Sequence, residues 1–206
     1  RAKISADRVM EILETAVDIA DPEEPKLPAE ARGKVEYKNV AFRYKMGSGD
    51  AVLENISFTA APGETIGILG ETGSGKSTLV NLLPRLYDVT EGQILVDDID
   101  VRDYKIKELR QRVAVVLQET ILFSGTIREN IKWGKPDATE EEIIAAAKAA
   151  QAHDFIMELP NQYDTELGQK GVNVSGGQKQ RISIARALIQ NPKIIIFDDS
   201  TSAVDS

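Results

Sequence analysis

Apolar residues recur at helical spacing near the N-terminus, where Val9, Met10, Leu13 and Val17 stand among charged neighbours, and this predicts an amphipathic helix over residues 6–17. Prolines at 22, 25 and 28 forbid a regular helix beyond it, so residues 21–28 read as a linker. Strand-like segments at 35–40, 41–44 and 56–60, with turn residues at 47–50 and at Pro62-Gly63, predict an antiparallel β-rich region. Residues 65–69 then read as a short buried strand running into glycines, and 77–86 as the following helix, its last turn bent by Pro84. A strand is expected at 113–117, and the stretch 119–191 is mostly helical in pattern. Within it, Thr139 and Glu142 form a capping box, each side chain serving a free backbone N–H, ahead of the alanine-rich run 143–152. A further helix starts near Ser175 and ends before Asn191-Pro192, because Pro192 cannot continue it. The apolar run 193–197 has strand length and ends in Asp198-Asp199.

Composition changes this picture only by exclusion. A chain of 206 residues suits one domain, or one domain with a subdomain. The absence of cysteine rules out disulfides and thiolate metal sites, a single histidine argues against zinc chemistry, and the cytosol is the natural compartment. With 33 acidic against 25 basic residues, the net charge of -8 offers no overall field for nucleic acid or an anionic membrane, so any anion site must be locally positive. No apolar run approaches the roughly 18 residues needed to cross a bilayer, so membrane attachment is expected to come from elsewhere. The chain opens at Arg1 inside a helical pattern without an initiator Met and closes abruptly after Thr201, which predicts a piece of a longer polypeptide.

The candidate chemistry begins at Gly70-Glu71-Thr72-Gly73-Ser74-Gly75-Lys76-Ser77-Thr78, which satisfies G-x-x-x-x-G-K-S between an expected strand and an expected helix. Glycines let the backbone curl so that successive N–H groups point at phosphate oxygens. Lys76 is expected to reach the β- and γ-phosphates of ATP, and Ser77 to ligate Mg²⁺. Asp198 follows the apolar run 193–197, which puts a carboxylate at a strand's C-terminal tip, where it can hold the same Mg²⁺ through water.

Val174-Ser175-Gly176-Gly177-Gln178 opens the last helix and resembles the signature motif of ATP-binding cassette proteins, a match that with the two motifs above covers most of the chain. The resemblance implies an α/β P-loop NTPase core with an antiparallel β-subdomain and an inserted α-helical subdomain at about 119–190. Residues 1–34 would then be the helix and linker from a preceding membrane domain, and 35–206 a C-terminally truncated cassette whose switch residue, last strand and last helix lie beyond Ser206. It also implies that Ser175, Gly176, Gly177 and Gln178 grip the γ-phosphate of an ATP held by a partner cassette, closing two cassettes head to tail. Tyr44 matches the aromatic that stacks on adenine, Gln118 the glutamine that approaches metal and attacking water, and Asp205 the loop that crosses the dimer interface. Residues 165–171 resemble an exporter-type loop, with Gln169 where glutamate is usual, and they point to an exporter whose own membrane helices precede Arg1. The place implied is the cytoplasmic face of the cell membrane. His153 precedes the signature and so is not the family's switch histidine.

Asp199 stands where hydrolytic cassettes carry glutamate. Its shorter side chain retracts a general base by roughly a bond length from the water it polarises. The expectation is a degenerate site that binds Mg-ATP but hydrolyses it slowly, paired with a different half-transporter that carries the glutamate. The alternatives are an active homodimeric exporter with Asp199 as a working base, or a cassette whose bound ATP only regulates a partner. Soluble cassettes of DNA repair or translation would need a long coiled coil or a tandem cassette, whereas only a compact helical subdomain is expected between Ser77 and Ser175.

Overall fold

A computed structural model describes residues 8–10, 13–14, 17–44, 51–117, 120–168 and 174–198. The alternating segments at 35–44 become one strand, β1 (Val35–Phe42), with Val35, Tyr37, Val40 and Phe42 turned inward. Two inward positions three apart are possible because the register slips between Tyr37 and Val40, where Asn39 takes a φ of 49°. β1 pairs antiparallel with β2 (Leu53–Ala60). The helix after the glycines, α1 (Lys76–Leu82), packs Leu79 and Leu82 into the same core as these strands. β3 (Glu91–Val96) and β4 (Ile99–Asp100) complete a sheet of order β2-β1-β3-β4. The Tyr37 hydroxyl donates to the Leu79 carbonyl at 3.0 Å, tying α1 to β1, and burial pushes the Tyr37 pKa up.

After α2 (Ile106–Arg112), β5 (Val113–Val116) pairs in parallel with β8 (Ile194–Phe197), Val113 facing Ile194 and Val116 facing Phe197. Between them lies a second apolar core, built from α3 (Ile127–Lys132), α4 (Glu140–Ala149), α5 (His153–Glu158) and α6 (Gly176–Leu188). A short ribbon of β6 (Gly125–Thr126) and β7 (Glu166–Leu167) closes its edge. The Thr139–Glu142 box starts α4 as read from sequence, with Glu142 N donating to Thr139 Oγ1 and Thr139 N to Glu142 Oε2. Ala187 of α6 joins Ala114 and Val116 of β5, seating the helical layer on the parallel pair.

Several expectations need correction. Residues 65–69 form no helix or strand and belong to no described sheet, and they are exposed rather than buried, Leu69 at 96%. A strand exists only where a neighbour takes its N–H and C=O groups, and no described strand pairs with this segment. The helix after the glycines stops at Leu82 instead of reaching 86, because Pro84 has no N–H to continue the ladder and Arg85 turns to a φ of 52°. β3 and α2 lie in a stretch that the sequence pattern left without elements. Of the N-terminal helix, residues 8–10 are helical, and Val9, Met10, Leu13 and Val17 are all exposed. Among the described residues, no helix is long and apolar enough to cross a membrane.

The stretch read as a linker is strapped down. Asp21 Oδ1 accepts from Ile106 N at 2.7 Å, and Lys26 meets Asp103 through both backbone and side chain. Asp97 collects the amides of Arg32, Gly33 and Lys34 at 3.2, 2.9 and 3.0 Å. Asp97→Ala leaves these amides without their acceptor and is expected to cost about 2 kcal/mol. Urea denaturation reads that loss directly, and an unchanged midpoint would show that water replaces the carboxylate at no cost.

Candidate nucleotide site

Gly73 and Gly75 take φ values of 84° and 90°, the left-handed region that lets the chain turn back on itself just before α1. Thr72 and Ser74 lie exposed on this loop, and Ser74 N closes a turn onto the Glu71 carbonyl at 3.2 Å. Lys76 reaches back across the loop, its Nζ donating to the carbonyls of Gly70 at 2.8 Å and Glu71 at 2.9 Å. The loop therefore encloses an ammonium group whose partners are neutral carbonyls. An anionic phosphate oxygen is a stronger acceptor than either.

Ser77, in the first turn of α1, donates its hydroxyl to Asp198 Oδ1 at 3.1 Å. The two lie 121 positions apart in sequence. Asp198 is presented by the parallel pair, since its N–H donates to the Val116 carbonyl at 3.0 Å and extends the ladder one step past β8. A hydroxyl and a carboxylate oxygen side by side form a hard-oxygen donor set, one of them anionic, which fits Mg²⁺. Tyr44 lies just past β1, 39% exposed, with its hydroxyl 3.0 Å from Thr78 Oγ1. Thr78 itself is buried in the first turn of α1.

Ser175 caps α6: its Oγ accepts from Gln178 N at 3.2 Å, and Gln178 Oε1 accepts from Ser175 N at 2.8 Å. This reciprocal box uses the third amide of the helix, and the first two, Gly176 and Gly177, have no helical carbonyl to donate to. Gly176 is exposed with open space where a Cβ would be. Among the described residues, no hydrogen bond or ion pair joins the start of α6 to the phosphate loop. Gln118, Asp199, Asp205 and the stretch 169–171 lie outside the described residues.

A glycine loop around a lysine, a serine–aspartate pair and a second capped helix start now stand on one α/β frame. The family model for ABC transporters matches residues 53–202, spanning all three. The chain belongs to the ABC transporter family, as its ATP-binding domain. It is 55% identical to an uncharacterized ABC transporter ATP-binding protein, YfiB of Bacillus subtilis, over 100% of this chain and 35% of that protein. It is 47% identical to the ATP-dependent lipid A-core flippase of Syntrophus aciditrophicus, over 98% of this chain and 33% of the flippase. A solved structure of a bacterial Atm1-family ABC exporter with ATP bound superimposes with a TM-score of 0.90 at 41% identity, covering 98% of this chain and 35% of that one. The chain thus spans about a third of the length of these relatives.

In this ABC cassette, sequence reading missed the arginine that binds the signature helix to the segment after Gln118. Arg186 of α6 donates from Nε to the Asn130 carbonyl at 2.9 Å, from Nη2 to Asn130 Oδ1 at 2.8 Å and from Nη1 to the Ile121 carbonyl at 3.0 Å. Burial lowers the Arg186 pKa from its ordinary value, and these bonds offset the desolvation. Asn130 is 1% exposed and also exchanges bonds with Phe123, accepting from its N–H and donating to its carbonyl, both at 2.9 Å. Beside this knot Leu117, Ile121, Phe123 and Trp133 are exposed around a groove of about 410 Å³. No local motif announces Arg186, because its partners lie 56 and 65 positions away.

Proposed function

We propose that this chain is the nucleotide-binding domain of an ABC exporter, with residues 35–206 as the cassette and a membrane domain preceding residue 1. The observation that carries the reading is the Ser77–Asp198 contact at 3.1 Å next to the loop that Lys76 spans. ATP enters with its phosphates among the loop amides of Thr72 to Thr78, and Lys76 exchanges the Gly70 and Glu71 carbonyls for phosphate oxygens. Ser77 and Asp198 would hold Mg²⁺, which supplies positive charge against the β- and γ-phosphates. Tyr44 offers a ring to the base, and Gln118 approaches the metal and the attacking water.

Ser175 with the Gly176 and Gly177 amides grips the γ-phosphate of an ATP bound by a second half-transporter, so each site is completed by the opposite subunit. Asp199, a methylene shorter than glutamate, makes this chain's own site slow in hydrolysis, and the partner is a different chain that supplies the faster site. The exposed apolar groove around Phe123 and Trp133 is where the membrane domain bears on the cassette, at the cytoplasmic face of the cell membrane. Two relatives support the transport reading by what they are, a flippase and an exporter.

In the assembled full-length dimer, Ser175→Ala removes one hydroxyl donor to a charged phosphate and is expected to lower ATP turnover about tenfold. ATP binding at this chain's own phosphate loop should persist. Loss confined to this chain's own site would overturn the head-to-tail arrangement.

A further inference from the structure

We propose that Tyr87 is a positioning residue for the nucleotide base, acting by holding the ring of Tyr44 in place before nucleotide arrives. The inference rests on the reading that Tyr44 receives the base. Tyr44 lies in a cluster of three aromatic rings: Phe42 is 4.8 Å from it at 85° and Tyr87 is 5.3 Å from it at 89°. Phe42 and Tyr87 touch each other at 5.6 Å and 51°. Both contacts to Tyr44 are near-perpendicular, the arrangement favoured by the ring quadrupole. Neither neighbour lies parallel on Tyr44, which is left partly exposed and able to take a flat group by stacking.

The hydroxyl end of the ring is fixed as well, by Thr78 Oγ1 at 3.0 Å. Phe42 is 3% exposed and belongs to the core, so its position is given by β1. Tyr87 is 42% exposed and lies outside the core, touching it at Phe42. The chain on either side of it is nonetheless pinned. Arg110 donates to the carbonyls of Pro84 and Arg85 at 3.0 and 2.9 Å, and Leu86 N donates to Asn81 O at 3.1 Å. Arg85, only 6% exposed, forms a two-pronged pair with Asp88 at 2.7 and 3.2 Å, immediately beyond Tyr87. A turn held from both sides presents the Tyr87 ring at a set place against Tyr44.

Stacking on an aromatic ring serves any base, because every base has a π-face, so the loss of a positioned ring should weaken ATP and GTP alike. It should not touch a ligand without a base. The test uses nucleotide-depleted full-length protein and titration calorimetry with ATP, GTP and inorganic tripolyphosphate. Tyr87→Leu is expected to weaken both nucleotides about fivefold and leave tripolyphosphate unchanged, while Tyr87→Phe, which keeps the ring, binds all three as the native protein does. Equal weakening of all three ligands in Tyr87→Leu would mark a merely structural role and overturn the inference. So would unchanged nucleotide affinity in Tyr87→Leu where Tyr44→Ala loses affinity, and in that case the assignment of Tyr44 to the base still stands. If Tyr44→Ala itself binds ATP normally, the assignment of Tyr44 to the base falls and the role of Tyr87 falls with it.

Discussion

Lys76→Ala is expected to weaken ATP binding about a thousandfold, the sum of two charge-assisted hydrogen bonds to phosphate at roughly 1.5–3 kcal/mol each. Lys76 spends both observed bonds on carbonyls of its own loop, at Gly70 and Glu71. Gly70 and Glu71 are both exposed, so water can satisfy their carbonyls when the lysine is removed, and little stability should be lost. The effect therefore separates ligand binding from folding. Titration with a fluorescent ATP analogue measures the first and thermal unfolding the second. Native-like affinity with an unchanged melting temperature would remove Lys76, and with it the phosphate loop, from the site.

The second large effect is expected at Asp199, the residue after Asp198. Asp198 is fixed by its bond to the Val116 carbonyl and by the Ser77 hydroxyl, so the strand end at Asp198 has a defined place beside the phosphate loop. On the reading of Asp199 as general base, one missing methylene withdraws its carboxylate by about 1 Å from the attacking water, and displacement of that order lowers rates around a hundredfold. Asp199→Glu in the full-length protein should therefore raise steady-state turnover about a hundredfold while leaving ATP affinity unchanged. A native protein that already turns over briskly, with no gain from glutamate, makes aspartate a working base and the exporter a homodimer.

The elements that were legible in the sequence are those whose causes are local. The Ser175 and Thr139 caps each satisfy amides three residues away, so residue type and spacing were enough to place the starts of α6 and α4. The glycine loop was legible because left-handed backbone at Gly73 and Gly75 restricts the choice of residue directly. Residues 65–69 show the converse. Their composition reads as a strand, yet extended backbone becomes a strand only when another supplies its hydrogen bonds, and Leu69 stands almost fully exposed instead. β3 went unread for the same reason, since its Ile94 and Val96 acquire their inward face from pairing with β1.

The sequence by itself determined what chemistry is available: a lysine in a glycine loop, a serine following it, an aspartate after an apolar run and a capped glycine pair. These follow from backbone freedom, side-chain charge and periods of a few residues, all of which are properties of neighbours along the chain. Only the tertiary structure decided which of them meet. It set Ser77 against Asp198 across 121 positions, placed Tyr44 beside Phe42, Tyr87 and Thr78, and strapped the proline-rich stretch to Asp103 and residues 32–34 to Asp97. It also buried Arg186 against Asn130 and Ile121. Such contacts depend on sheet register and on which faces the apolar cores pull together, and those are set by packing between segments far apart in the chain.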